Sequence, residues 1–234
     1  MKVIITCEHG GNKIPKKYSY LFRNNKNILA THEGFDLGAL ELAGGIFKKA
    51  GDYFYYSETS RLLVELNRSV TNKNLFSKFT KKLNQNQKDE LLKEYYFPYR
   101  NKVENRIREL ILQGNKIMHL SVHSFTPVIN YKERNADIGL LFDPKRKKEK
   151  NFASLFRNEF SSFEDSLKIR FNYPYLGISD GLTSYLRKEF KEEEYIGIEL
   201  EINQKYILSD KNKWKDLRKN IIYVLSSLIT KTSF

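Results

Sequence analysis

The residues best suited to chemistry in this sequence are two histidines and one acid that lie far apart along the chain. His9 stands in the segment CEHGGN, just after a short apolar run, and His123 stands near the end of the segment IMHLSVHS. Asp36 precedes an apolar-periodic stretch. Two imidazoles and one carboxylate form a common ligand set for catalytic zinc, which keeps a fourth position for water. These residue types predict a site for Zn²⁺, or for another divalent metal, on His9, Asp36 and His123.

The acidic ligand is the part of this set that the sequence leaves open. Glu8 is adjacent to His9, but neighbouring side chains on extended backbone point to opposite sides. Asp36, at a helix start, can aim its carboxylate toward the same crevice, although Asp is also a common helix cap there. We therefore prefer Asp36 and keep Glu8 as the second choice. His119, four residues before His123 on the same strand face, is interpreted as structural.

The elements that must position these residues alternate between strands and helices. The predicted strands cover residues 2–7, 53–57, 61–66, 115–124, 136–143, 167–171 and 195–203. The predicted helices cover residues 36–51, 86–113 (with a break or kink at Pro98), 149–160, 181–190 and 211–229. Strands separated by helices predict an α/β fold with a largely parallel or mixed sheet. Sites in such sheets lie outside the carboxyl ends of strands, where His9, His123 and Glu201 fall.

The period of two along a strand separates apolar from polar side chains in two of these segments. In 115–124, Met118 and Val122 share one face, and the polar residues share the other. In 195–203, the isoleucines and a leucine share one face, and Glu199 and Glu201 share the other. Interior strands of such sheets are covered on both faces, so we expect these two carboxylates to be buried.

Length and composition limit the class of protein. At 234 residues the chain can bury a full core, and its length favours one domain over residues 1–234. It has no run of 18 apolar residues, so we expect no membrane span. The N-terminal segment lacks the features of a secretory signal. Because Cys7 is the single cysteine, no internal disulfide can form, and we expect a cytoplasmic protein.

The net charge of +13 raises the question of a nucleic-acid partner. The lysines are scattered through most surface-like segments, and no nucleic-acid-binding motif accompanies them. We interpret them as a solvated coat and expect no nucleic-acid partner. A positive field is compatible with a small anionic substrate. The sequence does not predict an oligomeric state.

Several short motifs, in a fixed order, resemble those of the N-formylglutamate amidohydrolase family. They are VIITCEHGGNKIP, HEGFDLGA, SRLLVELNRS, SVHSFTPV, NYPYLGISDGLTSYLR and GIELEINQKYI. The family's fold is similar to that of zinc carboxypeptidases, aspartoacylase and zinc-dependent muramoyl-alanine amidases. The resemblance therefore implies a three-layer α/β/α sandwich with a mixed, mainly parallel sheet.

The resemblance also bears on the metal ligands. In muramoyl amidases a His-Gly-Gly turn, an acid before the next helix and a Ser-x-His strand end hold zinc, which implies the same role for His9, Asp36 and His123. Carboxypeptidase-like enzymes carry a glutamate three positions after the first histidine, whereas this chain has Asn12 there. His32 is similar to a family histidine, which implies a place in the pocket or behind a ligand. A histidine in a solvated loop is the equal alternative.

The segment SRLLVELNR resembles one in aspartoacylase, with Glu65 where Asp is usual. There an arginine helps to polarise the scissile carbonyl, and an Asn-Arg pair holds the substrate carboxylate. The resemblance implies these roles for Arg61, Asn67 and Arg68, and a guanidinium grips a carboxylate with two parallel hydrogen bonds. Without the resemblance, we would interpret Arg61 and Arg68 as solvated charges that flank a strand. Arg134 is a further anion-binding candidate.

Glu201 resembles the glutamate on the C-terminal strand of this fold group, which implies that it is the general base; Glu199 is the alternative. The implied function is a metal-dependent amidohydrolase that cleaves a non-peptide amide of a small carboxylate-bearing substrate, such as N-formyl-L-glutamate. A muramoyl-peptide amidase and a basic binding module without catalysis are the other readings.

Overall fold

A computed structural model describes residues 1–231 of the chain. Its strands, in chain order, are β1 (Lys2–Cys7), β2 (Tyr53–Tyr56), β3 (Ile117–Phe125), β4 (Val128–Ile129), β5 (Lys132–Glu133), β6 (Ile138–Leu141), β7 (Ile169–Phe171) and β8 (Tyr195–Asn203). Its helices are α1 (Ala39–Ala50), α2 (Gln85–Leu91), α3 (Phe97–Leu112), α4 (Lys147–Phe163), α5 (Leu182–Glu189), α6 (Lys205–Ser209) and α7 (Lys211–Lys231). In the described part of the chain, no helix is both long and apolar enough to cross a membrane.

One mixed sheet organises the fold. Its strand order is β2-β1-β3-β8-β6-β7. Strands β2, β1, β3 and β8 run parallel, β6 is antiparallel to β8, and β7 is parallel to β6. Strands β4 and β5 form a separate hairpin. Because β1, β3 and β8 are adjacent and parallel, their carboxyl ends meet at one edge of the sheet, as the sequence predicts.

Helices cover the sheet on both faces. Consecutive residues of β1 show the division: Ile5 packs in the cluster formed with α1, α4 and α7, and Ile4 packs in the cluster formed with α3 and α5. Both side chains are fully buried. Each such burial contributes roughly 1.5–3 kcal/mol of hydrophobic free energy. The predicted three-layer α/β/α sandwich with a mixed, mainly parallel sheet is confirmed.

The predicted strand over residues 61–66 is wrong. The segment forms turns, yet its apolar residues are buried. Leu63 packs beside Phe22, and Val64 packs beside Tyr96, in two small clusters outside the main core. A short apolar run indicates burial without specifying how the backbone is held, and here surrounding loops and the α2–α3 region supply the cover.

Helix α1 begins later than predicted. It starts at Ala39, so Asp36 lies three residues outside it, and Gly38 adopts a left-handed conformation with φ 77°. A β-carbon at Gly38 would lie 2.5 Å from Ile207 Cδ1. This glycine immediately precedes α1, and the backbone N–H of Asp36 donates to the carbonyl oxygen of His9 over 2.9 Å. That bond places the acid beside the first histidine.

The predicted helix over residues 86–113 is present with an interruption. Helix α2 is followed by a wider turn at Leu92–Tyr96, and α3 then begins with Pro98 in its first turn. Proline has no backbone N–H to donate, so it is tolerated there. The ends of the remaining predicted elements differ from the observed ones by a few residues at most.

Candidate metal and catalytic site

His9, Asp36 and His123 converge at the carboxyl edge of the sheet. One ligand atom from each of the three lies within 4.8 Å of the others. Both imidazoles present Nδ1 to the same carboxylate oxygen: Asp36 Oδ2 is 3.2 Å from Nδ1 of His9 and 2.8 Å from Nδ1 of His123. All three side chains are buried.

The turn after His9 depends on its glycines. A β-carbon at Gly11 would lie 2.6 Å from the carbonyl oxygen of Glu58, which is closer than real β-carbons approach. The turn therefore packs backbone against backbone, as the Gly-Gly pair predicts. This close approach fixes the loop that carries His9 against the strand-end loop after β2.

Each imidazole of the triad has a second carboxylate on its other ring nitrogen. Glu65 Oε1 contacts Nε2 of His9, and Glu8 Oε2 lies 3.0 Å from Nε2 of His123. Glu8, the second choice for a ligand, is thus placed behind His123 and outside the triad. The resemblance marks Glu65 only as a replacement for Asp and implies no role for it, because nothing local to SRLLVELNR shows that its acid turns toward His9.

Glu8 is held by two hydroxyl groups as well. Ser121 Oγ donates to its Oε2 over 2.7 Å, and the Tyr99 hydroxyl donates to its Oε1 over 2.9 Å. Burial opposes ionisation of Glu8, but the hydrogen bond and charge of His123 and the Ser121 hydroxyl outweigh it and lower the pKa of the carboxyl. Glu8 is therefore an anion that lies fully inside the protein.

Arg61 links the two acids on the His9 side. Its Nε donates to Glu65 Oε2 over 2.8 Å, its Nη2 lies 2.6 Å from the same oxygen, and its Nη1 donates to Asp36 Oδ1 over 3.2 Å. Burial raises the pKa of Asp36, but the charges and hydrogen bonds of the two histidines and the charge of Arg61 outweigh it and hold that pKa well below its usual range.

The triad attracts positive charge. Burial lowers the pKa of His123, but hydrogen bonds to Asp36 and Glu8 outweigh burial and raise that pKa well above its usual value. The pKa of His9 is raised as well, because Glu65 and Asp36 overcome burial and the repulsion of Arg61. Imidazole and carboxylate donors that favour a cation in a buried place fit a divalent metal ion.

A buried acid on the neighbouring strand, Glu201, faces the triad of His9, Asp36 and His123. Glu201 on β8 is the register partner of His123 on β3. Its Oε2 is buried and has no hydrogen-bond partner among the described residues. Burial raises the pKa of Glu201 to about 8; the charge of His123 opposes this rise, and those of Asp36 and Glu199 add to it.

Glu199, the alternative base, lies on the same face of β8 and has a partner. Its Oε1 accepts a hydrogen bond from the Thr183 hydroxyl. Both glutamates are more than nine-tenths buried, as predicted for this strand. Since Glu201 keeps an unpaired oxygen and Glu199 is tied to α5, the geometry favours Glu201 for proton transfer.

These residues enclose one small polar cavity of about 140 Å³. Its walls carry the triad, two arginines, both β8 glutamates and a loop that precedes α5. The lining residues are His9, Asp36, Arg61, Asn67, Arg68, His123, Ser124, Tyr175, Leu176, Ser179, Asp180, Glu199 and Glu201. Pockets for drug-sized ligands measure roughly 300–1,000 Å³, so this cavity suits a small substrate.

Asn67 and Arg68 reach the cavity from the segment after Glu65. The Asn67 side-chain oxygen accepts from the backbone N–H of Leu182 over 2.7 Å, at the start of α5. Arg68 Nη1 donates to the carbonyl oxygens of Asn67 and Asp180. Both residues are therefore held by neutral backbone groups at the wall.

The remaining candidates lie elsewhere. Arg134 is not part of the cavity wall. It donates a hydrogen bond of 3.0 Å to the hydroxyl of Tyr175, and Tyr175 does line the cavity. His32 is exposed, which agrees with a solvated loop histidine. His119 is fully buried between the hydroxyls of Thr6 and Tyr195, at 2.9 and 2.7 Å, as a structural residue would be.

Comparison with known proteins agrees with this fold. A sequence model of N-formylglutamate amidohydrolase matches residues 1–208. This match places the chain among the hydrolases that act on amides. The chain belongs to the N-formylglutamate amidohydrolase family. Among proteins with curated descriptions, none matches the chain in sequence.

Solved structures share the fold. The crystal structure of a gene product from Agrobacterium tumefaciens superposes with a TM-score of 0.81 at 23% identity, covering 98% of this chain and 90% of that one. N-formylglutamate amidohydrolase from Ralstonia eutropha superposes with a TM-score of 0.75 at 14% identity, covering 98% and 93%. At these identities the likeness establishes the architecture alone.

Proposed function

We propose that this chain is a metal-dependent amidohydrolase that removes the formyl group, or another short acyl group, from a small amide bearing a carboxylate. N-formyl-L-glutamate is the first substrate to test. The observation that carries the proposal is the shared cavity of His9, Asp36, His123, Arg61 and Glu201. Membership of the family supports an amide as the bond that is cleaved.

The triad would hold the metal through Nδ1 of His9, Nδ1 of His123 and Oδ2 of Asp36. Two imidazoles and one carboxylate suit Zn²⁺. When bound, such an ion supplies an acidified water and a Lewis acid for the carbonyl. The protein would hold these three donor atoms close together in a buried site.

Glu201 carries the proton in this proposal. It accepts the proton that the attacking water loses, and it returns that proton to the amide nitrogen as the C–N bond breaks. The water oxygen ends in formate, or in the released acid, and the nitrogen leaves as the amine. An unpaired carboxylate oxygen inside the cavity is what this transfer needs.

Arg61 and Arg68 have separate roles in this proposal, one at the scissile carbonyl and one at the substrate carboxylate. Arg61 stabilises the negative charge that develops on the carbonyl oxygen. Arg68, with Asn67, binds the substrate carboxylate. Arg68 Nη1 donates to two carbonyl oxygens, and among the described residues no carboxylate forms an ion pair with this guanidinium, so it can pair with the carboxylate of the substrate.

The size of the cavity favours a small substrate over a muramoyl peptide. At about 140 Å³ it has room for a compact amino-acid derivative. The wall also presents the guanidinium groups of Arg61 and Arg68 beside its acids, and a guanidinium group suits an anionic substrate. Both features support an N-acyl amino acid with an acidic side chain.

The test measures formate released by Zn²⁺-loaded and chelator-treated protein. We expect N-formyl-L-glutamate to be cleaved by the loaded protein and not by the metal-free protein. N-formyl-L-leucine is the matched substrate, because it has a side chain of similar length without the carboxylate, and we expect it to be cleaved more slowly. A loaded protein that releases no formate, or equal rates with and without metal, contradicts the proposal. Cleavage of muramoyl-peptide fragments instead would favour the amidase reading.

A further inference from the structure

The carboxylate of Glu8 lies behind His123, one of the three proposed metal ligands. We infer that Glu8, clamped by Tyr99 and Ser121, is a positioning residue that fixes the His123 ring with Nδ1 toward the metal. The inference rests on the proposed function in one respect only, that His9, Asp36 and His123 hold a metal ion. It concerns metal affinity and makes no use of the substrate.

The geometry around the His123 ring gives each nitrogen a separate task. Nε2 lies 3.0 Å from Glu8 Oε2, and Nδ1 lies 2.8 Å from Asp36 Oδ2. A metal ion at the triad would take up Asp36 Oδ2, whereas the ionised carboxylate of Glu8 would remain an acceptor, so with the metal bound the ring proton lies on Nε2, beside Glu8. In a neutral imidazole the other nitrogen then presents its lone pair, and that nitrogen, Nδ1, faces the triad.

Glu8 can perform this task because its own carboxylate is fixed at both oxygens. Ser121 Oγ donates to Oε2 over 2.7 Å, and the Tyr99 hydroxyl donates to Oε1 over 2.9 Å. Ser121 belongs to β3, two residues before His123, and Tyr99 belongs to α3 in the helical layer. Glu8 is fully buried, so no water competes for these contacts. The strand and the helix together hold the acid in one orientation.

Comparison of the four histidines separates this arrangement from ordinary burial. His119 lies on the same face of β3 and is equally buried, but its ring nitrogens contact two neutral hydroxyls. His32 is exposed. Within residues 1–231, a carboxylate stands behind the ring at His9 and at His123, the two histidines of the triad, although Nε2 of His123 also lies 2.9 Å from Ser121 Oγ. Carboxylates that bond the far nitrogen of a ligating histidine orient the ring and raise its basicity.

The test is the Zn²⁺ dissociation constant of purified variants, measured by competition with a chromophoric chelator. We expect Glu8→Gln to bind Zn²⁺ about 10- to 100-fold more weakly than the wild type. Tyr99→Phe removes one hydrogen bond to Glu8 and should weaken binding by about 2- to 10-fold. The visible spectrum of the Co²⁺-loaded Glu8→Gln protein should also differ from that of the wild type.

Tyr96→Phe is the matched control. The Tyr96 hydroxyl is also buried and donates a hydrogen bond of 2.7 Å, to the carbonyl oxygen of Arg68, but it does not contact Glu8. We expect its Zn²⁺ affinity to equal that of the wild type. An equal loss in Tyr96→Phe and Tyr99→Phe would reveal general loosening and overturn the inference.

The remaining outcomes are also decisive. A folded Glu8→Gln protein, verified by near-ultraviolet circular dichroism, with wild-type Zn²⁺ affinity overturns the inference. If Glu8→Gln does not fold, Tyr99→Phe decides, and an unchanged dissociation constant there overturns it. Wild-type protein that binds Zn²⁺ tightly yet releases no formate refutes the proposed function and leaves this inference standing. Wild-type protein that does not bind Zn²⁺ refutes both.

Discussion

Arg61 donates from Nε to a carboxylate oxygen of Glu65 over 2.8 Å, and its Nη2 lies 2.6 Å from the same oxygen. The two residues are four apart in a segment of turns, and the same carboxylate contacts Nε2 of His9. The third nitrogen of the guanidinium, Nη1, reaches Asp36. One arginine therefore holds both the acid of the triad and the acid behind His9, and its fork geometry is essential to that arrangement.

Replacing Arg61 by lysine keeps the charge and removes the fork. An ammonium group cannot bond Glu65 and Asp36 together in the observed geometry. We expect Arg61→Lys to lower kcat/KM for N-formyl-L-glutamate by about 100- to 1,000-fold, the usual effect of losing one donor to a developing oxyanion. Arg106→Lys is the control, since Arg106 pairs with Glu109 and lies over the Tyr53 ring at the surface of α3, and it does not line the cavity. Nearly wild-type activity in Arg61→Lys would refute both roles of this arginine.

Glu201→Gln should separate metal binding from catalysis. Glutamine keeps the size of the side chain but cannot accept and return a proton, so we expect the rate of formate release to fall about 100- to 10,000-fold. Zinc content should equal that of the wild type. Glu199→Gln tests the alternative and should show the smaller loss, because Glu199 is bonded to Thr183. The reverse order of effects would make Glu199 the base.

The sequence predicts the convergence of His9, His123 and Glu201 because parallel strands impose it. Once β1, β3 and β8 were recognised, the rule that sites lie at carboxyl ends placed His9, His123 and Glu201 at one edge. The period of two separated Val122 from His123, and the structure shows that division on β3. These features depend on backbone periodicity, which the sequence displays directly.

The sequence did not predict the acids behind the imidazoles. Glu65 lies in a segment whose apolar run predicts a strand, whereas the structure shows turns there. The direction of the Glu65 side chain therefore does not follow from the sequence pattern. Glu8 was considered as a ligand because it neighbours His9, whereas it contacts the other histidine of the triad. Which ring nitrogen an acid meets depends on side-chain placement in three dimensions, and no spacing along the chain records it.

Arg68 should control substrate selectivity. Arg68→Gln removes the charge that the substrate carboxylate needs, and losing a hydrogen bond to a charged group weakens binding by about 10- to 150-fold. We therefore expect KM for N-formyl-L-glutamate to rise by that factor with a smaller change in kcat. The rate with N-formyl-L-leucine should not change. Arg134→Gln should have a smaller effect on KM, because Arg134 lies outside the cavity wall. An equal effect on both substrates would refute carboxylate recognition by Arg68.

His119 should make stability depend on pH. Burial is the main reason that its pKa is lowered to about 4 from 6.5. Above the unfolded value, His119 is neutral in both states and its contribution to stability is complete. As the pH falls from 6.5 toward 4, the unfolded chain takes up a proton that the folded protein refuses, so stability is lost.

The variant His119→Gln isolates this effect. The wild type should lose about 1.4 kcal/mol of unfolding free energy per pH unit from this residue alone, or about 3 kcal/mol over the whole interval. His119→Gln should show a shallower slope by that amount. Urea unfolding at a series of pH values, with chelator present in every sample so that metal release adds nothing, gives both slopes. Identical slopes would show that His119 does not titrate as its burial requires.

Gly139 should tolerate no side chain, because it faces the proposed base. It is the register partner of Glu201 across β6 and β8. A β-carbon there would lie 2.0 Å from the carbonyl oxygen of Tyr173 and 3.2 Å from Glu201 Cβ. We expect Gly139→Ala to lower the unfolding free energy by about 1–3 kcal/mol, as overpacking does, and to lower activity by displacing Glu201.

Gly44→Ala provides the matched control for the same substitution. A β-carbon at Gly44, inside α1, would meet no atom of the described residues within 4 Å beyond its chain neighbours and its own helix backbone. Alanine in a helix interior is favoured over glycine by roughly 0.5–1 kcal/mol, so Gly44→Ala should raise the melting temperature and leave formate release unchanged. Thermal unfolding and the formate assay on both variants decide the matter. If Gly139→Ala is as stable and active as Gly44→Ala, the segment around Tyr173 can move away, and the position of Glu201 does not depend on this contact.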